Sequence, residues 1–142
     1  MRLKHHVVIS VAFSGVLQVS FRSWPLTLSS LLAGILMDVD HVLDYFLECG
    51  RPFEWRRFFR ASYRREYLRY FLVVHAWEWL PLFWLCAWVS GWNPWIAGLA
   101  LGWAQHMTVD QILNKGRAWA YFFLWRWKHK FDHQLAFPKD EL

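Results

Sequence analysis

The stretch VVISVAFSGVLQVSF-RSWP-LTLSSLLAGILM, residues 7–37, consists of two apolar runs separated by a short turn signal. The turn signal at 22–25 ends in proline, which does not continue a preceding helix. The second run follows at once and no A-x-A-like cleavage site separates the two, so the pair predicts a helical hairpin rather than a signal peptide. Each run is shorter than the roughly 20 residues of a membrane span, so we extend the predicted helices to about 6–23 and 26–45.

A second pair of apolar runs follows the same plan. Apolar residues dominate 70–89 and 95–113, and Ser90-Gly91-Trp92-Asn93-Pro94 forms a tight turn between them. We therefore predict helices at about 70–90 and 95–114, joined as a second hairpin. Tryptophan in the turn is typical of a segment at the edge of a bilayer.

Two further segments combine basic and aromatic residues. Arginine alternates with Phe, Trp and Tyr over 51–69, and 118–130 mixes aromatics with Arg126, Lys128 and Lys130. Both patterns predict amphipathic helices in the membrane interface, at about 52–68 and 118–131. We expect the segment 51–69 to contact anionic lipid headgroups, which explains the formal net charge of +5 better than nucleic-acid binding does.

The composition favours a membrane protein. The 142 residues are 56% hydrophobic and 20% aromatic, and twelve of them are Trp, which is too apolar for an ordinary soluble domain of this length. Cys49 and Cys86 do not make a disulfide framework. We predict one all-α domain over 1–142, an integral membrane bundle of four transmembrane helices in two hairpins plus the interfacial helices.

The basic residues predict how the chain is oriented. Arg2, Lys4, the segment 51–69 and the segment 115–130 all fall on one side of a four-span arrangement, and that side should be cytoplasmic. We expect a multi-pass protein of the bacterial inner membrane with both termini in the cytoplasm. The final residues 139–142, KDEL, match an endoplasmic-reticulum retrieval signal that works only in a lumen, so we interpret the match as coincidence.

The ionisable residues of the apolar segments converge on that same side. A charged group inside a bilayer costs a few kcal/mol or more, so its presence needs a reason. Residues three or four apart share a helix face, which pairs His75 with Glu78 and His106 with Asp110. The complete set also contains residues at the start of the first helix and the end of the second: His5, His6, Asp38, Asp40, His41, Asp44, His75, Glu78, His106 and Asp110.

These residue types are typical of a metal site in a helical bundle. Imidazole and carboxylate without thiolate suit a divalent metal, zinc first, with manganese or iron as alternatives, and the number of candidate ligands would allow two ions. Glu78 or Asp38, if not a ligand, could act as general base. The alternative is a structural network, because membrane histidines often only hydrogen-bond and Asp38, Asp40 and Asp44 could simply end a helix in water.

Two motifs resemble those of the bacterial membrane-bound metal-dependent hydrolases. Gly34-Ile-Leu-Met-Asp38-Val-Asp40-His41 is similar to Gly-x-x-x-Pro-Asp-x-Asp-His, and Gly98-Leu-Ala-Leu-Gly102-Trp-Ala-Gln-His106-Met-Thr-Val-Asp110 to Gly-x-x-x-Gly-x-x-x-His-x-x-x-Asp. Met37 replaces the family's proline, and Val74-His75-Ala76-Trp77-Glu78 retains little of its His-Arg-Gly-x-x-His-Ser element. The resemblance implies Asp38, Asp40, His41, His75, His106 and Asp110 as metal-site residues, together with an N-terminal histidine, here His6. The His-x-x-x-Asp spacing is also similar, over a short stretch, to zinc-dependent phospholipases C.

The leading hypothesis is a metal-dependent hydrolase that acts on a lipid or other membrane-associated phosphoester. The site would open near the headgroups, where the guanidinium groups of 51–69 pair well with phosphate. One alternative is a non-enzymatic membrane subunit or a small transporter in which the His–acid pairs relay protons or bind a transported ion. Another is an interaction protein whose polar residues only fix helix packing.

Overall fold

Two helical hairpins form the main part of the structure, a computed structural model that describes residues 3–64, 66–114 and 116–138. The first hairpin pairs α1 (Leu3–Phe21) with α2 (Trp24–Leu36), and the chain reverses at Arg22, whose φ is 49°. The second pairs α5 (Trp79–Val89) with α6 (Pro94–Leu113). The described residues contain no strand, which confirms the all-α prediction.

The second helix of the first hairpin continues beyond α2. A 3-10 turn, Met37–Val39, connects α2 to α3 (Asp40–Cys49) without a break. Together they form a helix of 26 residues, Trp24–Cys49, which within the described ranges is the one helix long and apolar enough to cross a membrane. Four spanning helices therefore stay a prediction. The 3-10 turn lies within the Gly34–His41 motif, and a 3-10 stretch in the middle of a helix often marks a functional segment.

Glycine allows α6 to approach α2 closely. A Cβ on Gly98 would overlap the backbone carbonyl of Leu26 and the Ser29 hydroxyl, and a Cβ on Gly102 would overlap the backbone of Ser30. Small residues at a helix interface let the two backbones meet, as is common in membrane bundles. This contact joins the first half of α6 to the first half of α2, and His106, one turn after Gly102, contacts the Gly34 carbonyl near the end of α2.

The predicted helix at 70–90 is only partly helical. Residues 70–78 are irregular, and the helix begins at Trp79. A helix over 70–78 would bond its N–H groups to carbonyls four residues back, but here carboxylates of α3 accept several of them instead. The prediction failed because periodicity shows nothing of such side-chain acceptors.

Three shorter helices complete the chain. α4 (Trp55–Arg64) lies within the segment predicted at 52–68, and its Arg56, Arg57 and Arg60 are exposed. α7 (Phe123–Lys128) occupies only the middle of the segment predicted at 118–131, and α8 (His133–Ala136) follows. Arg2, Arg65, Lys115 and residues 139–142 lie outside the described residues, so the orientation and KDEL interpretations that use them stay predictions.

The first hairpin has polar side chains inside and apolar side chains outside. Ser10, Ser14 and Ser30 are almost completely buried, whereas Val8 is 67% and Val19 80% exposed. A soluble bundle shows the opposite distribution, with its apolar face turned inward. This distribution is typical of helices that pack in an apolar environment.

Candidate metal centre

Four side-chain nitrogen and oxygen atoms from three parts of the chain converge at the ends of the helices that we predicted to face the cytoplasm. His75 Nε2 lies 3.1 Å from His106 Nε2, 3.4 Å from Asp38 Oδ1 and 3.6 Å from Asp110 Oδ2. His106 Nε2 lies 3.6 Å from each of the same two carboxylate oxygens. The 3-10 turn provides Asp38, the irregular segment provides His75, and one turn of α6 provides His106 and Asp110.

These separations fit a bound cation. Ligand nitrogen and oxygen atoms lie about 2.0–2.2 Å from a tetrahedral zinc ion, which places any two of them roughly 3.4 Å apart. The five separations given above run from 3.1 to 3.6 Å. These separations are compatible with a shared cation, and the His and Asp residues at this position can hold a metal ion.

The second nitrogen of each ring determines which nitrogen is free to bind. His106 Nδ1 donates to the backbone carbonyl of Gly34 at 2.8 Å, because a carbonyl can only accept. His75 Nδ1 lies 2.9 Å from Asp40 Oδ1. With the ring proton on Nδ1, which the Gly34 carbonyl fixes for His106 and the nearby Asp40 carboxylate favours for His75, each neutral imidazole has a lone pair on Nε2. Two lone pairs 3.1 Å apart beside two carboxylates repel one another unless a cation or an added proton lies between them.

Two further histidines border the four atoms. His6 Nε2 lies 3.0 Å from Asp110 Oδ1, and its ring stacks on that of His106 with centroids 4.0 Å apart. His41 Nε2 lies 3.8 Å from Asp38 Oδ1. Among the described residues, two overlapping groups that could hold a metal ion share Asp38: His6, Asp38, His106 and Asp110, and Asp38, His41 and His75. We refer to these six residues as the His/Asp cluster.

Asp40 and Asp44 position the irregular segment rather than joining the cluster. Asp40 Oδ2 accepts the backbone N–H groups of Val74 at 3.0 Å and His75 at 3.2 Å. Asp44 Oδ1 accepts those of 71–72 at 3.0 and 3.4 Å. Asp40, which we predicted to be a metal ligand, therefore lies behind His75 and orients its ring, as outer-shell carboxylates of metal sites do.

Arg126 holds the same segment from the other side, a role that the sequence did not indicate. Its side chain is buried, and it donates to the backbone carbonyls of Leu72 at 2.7 Å, His75 at 3.0 Å and Ala120 at 2.8 Å. Burial lowers the pKa of Arg126 to about 10, although nearby carboxylates oppose that shift. In the sequence, Arg126 is one of three basic residues in this segment, with Lys128 and Lys130, and only the structure shows that Arg126 is buried and bonded to these carbonyls.

Glu78, predicted as a general base, has other partners. Its two carboxylate oxygens accept the backbone N–H groups of Phe123 and Leu124, each at 3.0 Å, at the start of α7. Neither of the groups able to hold a metal ion includes Glu78. Asp38, the other predicted base, lies within the cluster, and His5 is exposed.

A cavity of about 340 Å³ lies against the cluster. Four cluster residues form part of its wall: Asp38, His41, His75 and Asp110. The side chains of Asp38 and His41 are 22% and 25% exposed, whereas those of His75 and His106 are 0% exposed. A molecule in this cavity would therefore meet Asp38 and His41 first.

No protein-family model, curated protein or solved structure matches this chain. The likeness of the motifs at 34–41 and 98–110 to the membrane-bound metal-dependent hydrolases therefore stays a resemblance.

Proposed function

We propose that this protein is a zinc-dependent hydrolase of the bacterial inner membrane that cleaves a lipid or other membrane-associated phosphoester. The observation that carries the proposal is the convergence of His75 Nε2, His106 Nε2, Asp38 Oδ1 and Asp110 Oδ2 at ligand-shell spacing. Manganese and iron use the same donors, but nearly tetrahedral separations favour zinc.

A membrane location is supported by the surface of the hairpins. The helix Trp24–Cys49 is long enough to span a bilayer, and α1 and α5 expose valine, leucine and tryptophan side chains. Buried serines between the helices are consistent with packing in lipid, where small polar residues bond across helix interfaces. We place α1, α2 with α3, α5 and α6 across the membrane.

The cluster residues have distinct roles in the proposed reaction. A bound zinc ion supplies Lewis acidity, which polarises a phosphoryl oxygen and makes water a better nucleophile. His75, His106, Asp38 and Asp110 would hold it, while Asp40 and the Gly34 carbonyl keep the two imidazoles in the binding tautomer.

Proton transfer is assigned to Asp38 and His41, the two partly exposed residues among the four cluster residues that border the cavity. Asp38 and His41 line it, and their side-chain atoms are 3.8 Å apart. Asp38 would help to hold the ion, and a carboxylate oxygen of Asp38 or the neighbouring His41 imidazole would take the proton from the attacking water. The same group then returns the proton to the leaving alcohol.

The test is hydrolysis of phosphoesters by zinc-loaded protein in lipid nanodiscs. Release of phosphate or alcohol from a panel of lipid phosphoesters should be lost in Asp38→Asn and in His75→Ala. Glu66→Gln, which removes an exposed carboxylate 3.9 Å from Arg60, is the control and should keep the wild-type rate. If the fully loaded protein hydrolyses no member of the panel, the proposed reaction is wrong.

One observation favours a second candidate, a proton or ion carrier. Polar side chains follow the inner side of the first hairpin from the cluster toward its turn. Ser10 donates to Gln105 at 2.9 Å and Thr27 donates to Gln18 at 2.7 Å, while the buried Ser14 hydroxyl lies between them along α1 without a hydrogen-bond partner. Such a row could relay protons across the bundle.

Proteoliposomes distinguish this candidate from the hydrolase. Under an imposed proton gradient, a carrier should acidify the vesicle interior faster than empty vesicles do, and Ser14→Val should slow it. A hydrolase should show no flux above empty vesicles and should keep its activity in Ser14→Val.

A further inference from the structure

The cavity beside the His/Asp cluster has a composition that the metal chemistry alone does not explain. Its wall includes the aromatic side chains of Phe58, Phe59 and Tyr63, which come from one side of α4. Leu72 and Phe137 add further apolar surface. Small-molecule sites are commonly about 300–1,000 Å³, mostly apolar, with a few polar groups that fix orientation. At about 340 Å³ the cavity belongs to this class.

The polar groups of the cavity include the cluster itself. Asp38, His41, His75 and Asp110 all border it, so a bound molecule reaches metal-binding atoms and apolar walls at once. The carboxylates repel a bare phosphate, and a cation held by the cluster makes that part of the cavity attractive to an anion. The cavity therefore suits a molecule with an anionic group and an apolar part.

The helix that forms the aromatic wall also has an exposed surface of aromatic and arginine side chains. α4 exposes Trp55 and Tyr63 in addition to Arg56, Arg57 and Arg60. Exposed aromatic and arginine side chains on one short helix are typical of a segment at the headgroup level, where arginine pairs with phosphate. A lipid in that layer would have its headgroup near these arginines and its chain next to the cavity.

We propose that the cavity binds the hydrocarbon chain of an anionic single-chain or splayed lipid, with the phosphoester beside Asp38 and His41. The proposal rests on the hydrolase function and specifies its substrate class. It assigns chain-length selection to α4, whose Phe59 and Ser62 line the cavity. Ser62 has a small side chain there, and its hydroxyl lies 3.4 Å from that of Tyr67.

Alkylphosphonates from butyl to octyl test the proposal, because the P–C bond is not hydrolysed and binding is measured without turnover. Zinc-loaded protein in nanodiscs is titrated with each compound, and protein-free nanodiscs give the background of partition into lipid. Each added methylene should tighten binding to wild type by about fourfold above that background until the cavity is full.

Two variants change the cavity in opposite directions. Ser62→Phe fills the cavity, so affinity should stop increasing at a shorter alkyl chain than in wild type. Phe59→Ala enlarges the cavity, so affinity should go on increasing up to a longer chain. Thr108→Phe adds a similar ring to an exposed position of α6 outside the cavity and should behave as wild type. If Ser62→Phe fails to fold, Phe59→Ala still tests the prediction.

The outcomes separate this inference from the proposed function. The chain site is overturned if affinity depends on alkyl chain length in the same way in Ser62→Phe, Phe59→Ala and Thr108→Phe. It is also overturned if that dependence is no greater than in protein-free nanodiscs. Such a result leaves zinc content and hydrolysis unaffected. A protein that binds no metal but keeps a cavity-dependent chain preference would overturn the hydrolase and retain the chain site.

Discussion

Gly102→Ala should loosen the contact between α2 and α6 that supports the cluster. The added Cβ would lie 2.9 Å from both the carbonyl carbon and the Cα of Ser30, and closer still to the carbonyl oxygen. Ordinary carbon–carbon contact begins at about 3.5 Å, so α6 must move by ~0.6 Å or more (3.5 minus 2.9). Backbone atoms cannot rotate aside as a side chain can, so the movement involves the whole helix.

Gly15→Ala provides the matched control. Gly15 lies in the middle of α1, and a Cβ there would meet nothing within 4 Å. Both substitutions gain the same helix preference of alanine over glycine, ~1 kcal/mol, which cancels when the two are compared. The remaining difference comes from overpacking at position 102, which should make Gly102→Ala ~1–3 kcal/mol less stable than Gly15→Ala.

The free energy of unfolding should be measured for both variants by denaturant titration in mixed micelles, together with zinc affinity. His106 lies one turn after Gly102, so movement of α6 also stretches the 2.8 Å bond from His106 Nδ1 to Gly34. Zinc affinity should therefore fall in Gly102→Ala and stay unchanged in Gly15→Ala. Equal stability and equal zinc affinity in the two variants would refute the close approach of α6 to α2.

Three further predictions concern the groups around the metal. Asp40→Asn should lower zinc affinity by roughly 10–100-fold, because it weakens the partner of His75 Nδ1, and a competition titration with a chelating dye measures it. Arg126→Lys should weaken zinc binding in the same assay, since a single ammonium cannot reach three carbonyls, whereas Lys128→Met nearby should leave it unchanged. The free energy of unfolding should be ~2.7 kcal/mol lower in a chelator than in the presence of free zinc at a hundredfold excess over its Kd. The same free energy in both conditions would exclude zinc binding to the folded state.

Helical spacing was sufficient to predict which residues come together in the parts of the site that lie on helices. His106 and Asp110 are four residues apart on α6, and both contribute to the cluster as their shared face predicts. Asp38 and His41 lie around the 3-10 turn and also meet there. The sequence could identify these residues because a regular backbone fixes the direction of each side chain.

The same rule failed at His75 and Glu78. They were paired as neighbours on a helix, but residues 70–78 are irregular, so His75 reaches the cluster while Glu78 accepts N–H groups of α7. That segment is shaped by contacts distant in sequence, with Asp40 and Asp44 on one side and Arg126 on the other. Local periodicity contains no information about such partners, so neither the shape of the segment nor the role of Arg126 could be predicted.

Zinc content of the purified protein is the most direct test of the central claim that the His/Asp cluster binds a metal ion. Mass spectrometry on detergent-purified protein, after incubation with zinc and removal of the excess, should find at least one tightly bound ion per chain. His106→Ala should lose it, while His5→Ala, which removes an exposed imidazole next to His6, should keep it. Wild-type protein without bound zinc, manganese or iron, or a His106→Ala variant that retains the full content, would contradict the account.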